Sequence, residues 1–330
     1  MQRPALAKSP PADRLRGQAE IRMRGSTSFL YVITVLIWGT SWYAMEYQLV
    51  IPFELAILYR FALATAMLVG YCLITGRSLR FSGRDHLFMS AQGFFLFGIN
   101  YVLFYWAADY LISALLAVCF STLIVMNLVN GAIFFRTPIT ARAVIAAFLG
   151  IGGIALIFWP EIAQSEISTD AMIGLALSMV GTYSASLGNM VTVRHKDAKI
   201  PVVESNAIGM AYGTLFVLLL VLVRGIPITF ATDAGYLISL FYLALFASVI
   251  GFGSYLTILQ RLGADKAAYT SVLFPVVALA VSTWLEGFVW TWLAIIGLLL
   301  VISGNLLVLM RLPRRAQPLP GKPALDETTA

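Results

Sequence analysis

The chain has 330 residues, of which 60% are Ala, Val, Ile, Leu, Met, Phe, Trp, Tyr or Cys and only 12% are charged. A water-soluble fold lacks the polar surface to cover so much apolar material, since soluble domains run near a quarter charged (about 25%). The net charge of +6 does not mark a nucleic-acid binder, because the basic residues sit in tails and short loops. Composition points to an all-α membrane protein whose surroundings are a lipid bilayer.

A hydrocarbon core of about 30 Å takes about 20 apolar residues per helix. Measured so, the sequence predicts ten transmembrane helices at 28–46, 54–75, 86–106, 112–134, 140–159, 172–191, 205–223, 235–257, 267–285 and 289–309. Residues 1–25, rich in Pro and charge, are expected to be a disordered tail. The first apolar segment follows basic residues as a signal peptide would. Trp38, Trp42 and Tyr43 interrupt it and no small-residue cleavage site follows, so it reads as a retained helix.

Helix one shows Thr34, Trp38, Ser41 and Trp42 at near-helical spacing. Helix two carries Arg60, a basic residue well inside a predicted span. Helix three shows Phe94, Phe97, Tyr101 and Tyr105 with Asn100 beside them, and helix four carries Asn127 and Asn130 on one face. Residues 160–171 form the longest predicted loop, an acidic linker with Glu161, Glu166 and Asp170. Helix six follows with Ser178, Thr182, Ser186 and Asn189, with Tyr183 adjacent, and helix eight with Ser248, Phe252 and Tyr255. Polar groups facing lipid would go unsatisfied, so these stripes should face the bundle interior or a wet cavity. Pro275 sits mid-helix nine, where it frees the Ser271 carbonyl and kinks the helix, and Glu286 follows at that helix's outer end. Residues 311–330 form a second tail expected to be disordered.

Lys and Arg set orientation. Twenty of the 22 basic residues fall in the two tails and in alternate loops; the exceptions are Arg60 and Arg224. Both termini are therefore expected on the cytoplasmic side of the inner membrane, with an even number of spans. The linker leaves five helices in 28–159 and five in 172–309, so homologous halves would enter the membrane with opposite hand, a plan common among secondary transporters. Leu111–Val118 and Gly263–Thr270 each open a helix after a very short loop. Each helix is followed by a Gly-rich one, containing Ala146–Gly153 or Gly297–Gly304.

These features resemble the EamA-type ten-helix carriers of the drug/metabolite transporter superfamily. The resemblance rests on Trp38-Gly39-Thr40-Ser41, Arg60-Phe61, the stretch from Pro275 to Glu286, and Gly297 and Gly304. It covers about residues 28–310. The first half departs from the pattern: Met126 and Thr137 stand where such carriers commonly have Pro and Glu. The resemblance implies two inverted five-helix repeats, alternating access, and a central cavity for small metabolites such as amino acids and other amphipathic compounds, often exported.

A charged side chain at a helix centre costs roughly 2.5–3.5 kcal/mol on insertion scales. Arg60 either faces the central cavity, holding an anionic group, or snorkels outward or pairs with Glu54 or Glu46. The candidate substrate-binding residues are Arg60, Trp38, Trp42, Asn100, Tyr101, Tyr105, Tyr183 and Tyr255, with Pro275 and Glu286 as gate or hinge. For each aromatic residue the alternative is helix packing or interfacial anchoring, and for Asn127 and Asn130 it is interhelical glue. Glu286 either caps an adjoining helix or closes an outer gate. Gly153 and Gly304 mark close-packing faces, with a homodimer interface as the lesser reading.

His86, His195, Cys72 and Cys119 lack metal-ligand spacing, and no phosphate-binding loop is present. No cofactor is expected and no catalytic constellation is legible, so a membrane enzyme is disfavoured. Glu46, Glu54, Asp109 and Glu286 lie at or near predicted helix ends, which leans toward exchange or facilitated transport over proton coupling. A channel-like facilitator and a lipid flippase are the rival classes.

Overall fold

The computed structural model describes residues 12–136, 139, 141–157, 159, 169–262, 267 and 269–309. Thr137, most of the 160–171 linker, the 263–266 loop and the 311–330 tail lie outside the described residues. Among the described residues every regular element is helical. Seven helices are long and apolar enough to cross a membrane, with shorter apolar stretches at Val144–Ile157, Leu273–Leu285 and Trp292–Gly304.

Helix α1 spans Ala12–Glu46 and α2 Phe53–Ile74. Helix α1 thus begins well before residue 28, and 12–25, expected as a disordered tail, are helical. That stretch has Pro11 just before it and no proline within it, so nothing in its backbone chemistry stops a helix. Helix α3 runs over Gly83–Ala107 and α4 over Ser113–Phe135. Helix α5 spans Ala141–Ile157, α6 Thr169–Asp197 and α7 Val202–Val223. Helix α8 covers Ala234–Arg261, α9 Tyr269–Leu285 and α10 Trp292–Leu309. The outside of the bundle is apolar: Ile74, Val223 and Trp284 are 87%, 85% and 86% exposed. Such side chains suit contact with lipid and not with water.

Two helices repeat one local design. Helices α2 and α7 each start after a proline, Pro52 and Pro201, whose missing N–H costs nothing at that place. Each carries a Glu in its first turn, Glu54 and Glu204. Each is followed by a glycine in the left-handed region, Gly76 at φ 68° and Gly225 at φ 62°. The two run antiparallel, so each start meets the other's end. Arg224 pairs with Glu54 at one end, and Arg77 reaches Glu204 at 3.2 Å at the other. Helices α3 and α8 also share a design. Ser82 and Asp233 cap their N-termini by accepting the N–H of Asp85 and Tyr236. Both then pass through π-helical stretches, Gly93–Ile99 and Leu243–Phe252. Helices α5 and α10 pack antiparallel with backbones in contact: a Cβ on Gly153 would stand 2.5 Å from the Gly297 carbonyl oxygen, and the reverse holds equally. Gly304 likewise sits on the Ala146 carbonyl. A homodimer built on Gly153 and Gly304 would need faces that the chain already uses within itself.

Two helices are interrupted by different chemistry. Pro275 is inside α9, as the sequence predicts. Helix α4 breaks at Thr122 without any proline: Ser121 donates to the Val118 carbonyl at 2.6 Å and Thr122 to that of Cys119 at 2.7 Å. Such hydroxyls compete with the backbone ladder for its acceptors. The break falls before Met126, the position where the carriers resembled above have proline.

The glycine contacts give a direct test. Gly297→Leu should destabilise the detergent-purified protein by roughly 1–3 kcal/mol through overpacking, read as a lower thermal midpoint. Gly150→Ala, at a position with nothing within 4 Å, should leave the midpoint unchanged.

Candidate functional site

Arg60 is 3% exposed. It lies inside α2, where no carboxylate reaches it; Glu54, one alternative partner, is bound to Arg224 instead. Among the described residues Arg60 forms no ion pair. Its Nε donates to Ser248 Oγ at 3.0 Å, Nη1 to the Tyr105 hydroxyl at 3.4 Å, and Nη2 to that of Tyr101 at 3.3 Å. The guanidinium carbon stands 4.6 Å from the centroid of the Tyr101 ring, close enough for a cation–π contact. All these partners are neutral, so the positive charge is solvated but not cancelled. Arg60 neither snorkels nor pairs with Glu46.

The π-helical stretches supply much of this geometry. In α8, Ser248 donates to the Leu243 carbonyl five residues back at 2.9 Å, which holds its oxygen toward Arg60. One residue earlier, the Ala247 carbonyl accepts Trp38 Nε1 at 3.2 Å. Gly251 lets the indole in, since a Cβ there would meet Trp38 Nε1 at 2.6 Å. In α3, Asn100 follows the π stretch directly, donating through Nδ2 to the Leu96 carbonyl at 3.2 Å. Its Oδ1 is buried and receives no donor. π-Helical insertions of this kind recur at functional sites because they turn side chains out of regular register.

Arg60, Asn100 and Tyr101 open onto a small, partly enclosed cavity. Helix α1 contributes Trp38, Ser41, Trp42 and Met45. The remaining wall is aromatic: Phe104 and Phe120 from α3 and α4, Phe252 and Phe274 from α8 and α9. Trp42 anchors that wall, with centroids 5.1 Å from Phe104, 5.7 Å from Phe120 and 6.4 Å from Phe274. The lining contains no Asp or Glu. A mostly apolar concavity with a few convergent polar groups has the character of a small-molecule site.

The structure sorts the candidates chosen from sequence. Arg60, Trp38, Trp42, Asn100 and Tyr101 come together at the cavity. Tyr105 and Tyr255 stand behind its lining. Tyr105 is fully buried against Arg60, while the Tyr255 ring lies 4.9 Å from Trp38 and its hydroxyl accepts from Asn189 at 3.3 Å. Tyr183 is a correction: it is 44% exposed and takes no part in the cavity. At about 100° per residue it points well away from its neighbour Thr182, which is fully buried. The α6 stripe itself does face inward, but as packing. Ser178 and Thr182 donate to carbonyls of their own helix, and Asn130 donates to Ser186 at 2.8 Å. Asn189 reaches Asn127 at 3.4 Å, so both helix-four asparagines act as glue.

Glu286 directly follows α9 and contacts the start of α4. It accepts the hydroxyl of Ser113, the first residue of α4, at 2.7 Å. Pro275 is buried directly beside Phe274 of the cavity wall. Gly39 lets α1 approach this kinked segment, a Cβ there lying 2.5 Å from Val277 Cβ. Sequence reasoning missed Met45, Phe104, Phe120 and Phe274, because an apolar residue on a membrane helix carries no mark of the face it occupies.

A family model for EamA-like transporters matches the chain over residues 25–159 and 172–310. The chain belongs to the EamA-like transporter family. It is a multi-pass membrane protein whose family and named relatives are transporters and not enzymes. It is 25% identical over 270 residues to the protein PagO of Salmonella typhimurium, covering 80% of this chain and 86% of that one. It is 26% identical over 263 residues to an uncharacterised transporter, in the trpA 3′ region, of Buchnera aphidicola, with 79% and 84% covered. A protein solved by crystallography shares the fold, with a TM-score of 0.66 at 14% identity over 86% of this chain and 96% of the other.

The cavity assignment makes a contrast that transport assays can read. Trp42→Ala should lower the transport rate about tenfold or more, the order expected on losing a buried aromatic contact. Tyr183→Ala, on the outer face, should leave it within about twofold. A larger loss at Tyr183 than at Trp42 would move the site elsewhere.

Proposed function

We propose that this chain is a secondary carrier that moves a small amphipathic metabolite across the inner membrane by alternating access, as an exporter or exchanger. The Arg60 cavity is its substrate site, with Pro275 as a hinge and Glu286 at the outer gate. Its ten transmembrane helices form two inverted repeats, 28–159 and 172–309, joined by an outer linker at 160–171. Both termini, with the tail 311–330, are cytoplasmic.

Several observations support the repeat. The family model matches in two stretches of similar length. The Pro–Glu start and Gly–Arg end recur in α2 and α7, and the capped π-helical design recurs in α3 and α8. Antiparallel packing of α2 on α7 and of α5 on α10 is what an inversion axis between halves would give. The basic residues of the tails and alternate loops support the orientation.

The observation that carries the functional reading is the buried guanidinium in an aromatic cavity lined by helices from both halves. Burying an uncancelled charge is costly unless something is gained by it. Placement between the halves is where an alternating-access carrier holds its solute.

Reconstituted protein should show saturable counterflow of a labelled solute, and flux that never saturates would reject the carrier in favour of a channel-like facilitator. Arg60→Ala should abolish counterflow while the protein still inserts and purifies. Unchanged kinetics in that variant would take Arg60 out of the site.

A further inference from the structure

We infer that the Arg60 cavity selects singly charged organic carboxylates with a flat apolar body over zwitterions and cations of the same shape. This rests on the reading of that cavity as the substrate site, and it narrows the amphipathic metabolite to an anion.

The argument starts from charge. A guanidinium has five N–H groups. Three are used, on Ser248, Tyr105 and Tyr101, and two remain. Those three partners are hydroxyls, which accept hydrogen bonds without cancelling the charge. The lining holds no carboxylate, and Arg60 has no acid partner among the described residues. The site therefore carries one positive charge that no protein carboxylate of its lining compensates, in an environment of low dielectric. A carboxylate completes it, because two N–H groups on a planar fork match two carboxylate oxygens.

A zwitterion fits less well. Its carboxylate would meet Arg60, but its ammonium would be buried near a like charge and find no acid. Aromatic faces do attract cations, yet Arg60 already occupies the face of Tyr101. Asn100 Oδ1, a buried acceptor of the lining that receives no donor, is neutral. A hydroxyl or amide N–H satisfies it at lower desolvation cost than an ammonium does. Asn100 is thus the specificity element for one uncharged donor on the substrate.

Shape follows from the wall. Trp42, Phe104, Phe120 and Phe274 form one cluster of rings in the lining, and Trp38 and Phe252 another. A flat apolar body packs between such surfaces with little conformational cost.

The test uses three molecules that share a phenyl ring and differ in charge: phenylacetate, phenylalanine and phenethylamine. Binding to the purified full chain is read by quenching of tryptophan fluorescence, to which Trp38 and Trp42 report directly. Phenylacetate should bind about ten- to a hundredfold more tightly than phenylalanine, the order that one charge-assisted contact provides. Phenethylamine should not compete. Asn100→Asp leaves Arg60 in place and gives it an internal counterion, so it should erase the preference for phenylacetate. Equal or tighter binding of phenylalanine or phenethylamine by the unaltered chain overturns the inference, as does a failure of phenylacetate to bind at millimolar concentration. Counterflow of a zwitterion would likewise sink the anion selectivity while leaving the carrier intact. Unsaturable flux would remove the carrier and leave the binding order standing.

Discussion

A guanidinium buried inside a membrane bundle sets terms for everything around it. Removing such a charge from water costs several kcal/mol even after relaxation, by order of magnitude. Arg60 offsets part of that cost with three hydroxyls and a ring face, which are supplied by α3 and α8. Ser248 lies within the irregular stretch of α8, and Tyr101 and Tyr105 follow directly on that of α3. The Ser248 hydroxyl is held by a carbonyl five residues back, a contact regular α-helical spacing does not favour. Asn100 emerges at the end of the other irregular stretch. The backbone irregularity and the buried charge thus meet at one place in the bundle.

The rest of the bundle divides into stiff pairs and interrupted elements. Helices α2 and α7 are tied at both ends by ion pairs, and α5 and α10 are held backbone to backbone through Gly153 and Gly297. Glycines 174, 181 and 188 of α6 add a third close seam, against Leu111, Phe104 and Leu96. The irregular elements all reach the cavity: α3 and α8 with their π stretches, α9 with Pro275, α4 with its break at Thr122. A site whose walls are irregular and whose supports are rigid keeps its geometry while retaining places where it can deform.

How much of this was legible in the sequence depends on what membranes make visible. Helix positions were legible because every span must be apolar for about 20 residues, and loop charge alternated in step with them. Arg60 stood out because it broke both rules at once. The polar stripes of α1 and α6 are legible by their spacing, whereas Tyr183 is adjacent to its stripe, and one residue of offset turns it to the outer face. Phe104, Phe120 and Phe274 gave no signal, since lipid and an aromatic cavity select the same side chains. The Glu54–Arg224 pair was hidden for another reason. Arg224 was noted as the odd basic residue among the outer loops, and Glu54 as a potential partner of Arg60, but only the antiparallel packing of α2 on α7 brings the two together.

The interruptions of α4 and α9 differ in permanence, and this bears on how the two halves respond to strain. Pro275 has no N–H in any conformation, so the hydrogen bond missing from α9 cannot be regained. At Thr122 the backbone donor is intact, and its N–H already bonds the Cys119 carbonyl three residues back at 3.2 Å. The break there is maintained by two hydroxyls that a rotamer change would release. Both lie next to the cavity wall, Phe120 one residue before Ser121 and Phe274 one residue before Pro275. The two aromatic side chains face each other at 5.8 Å between centroids. One is thus carried by a backbone that has lost a donor for good, and the other by one whose donors are intact, so the two sides of this cavity edge have different means of deforming.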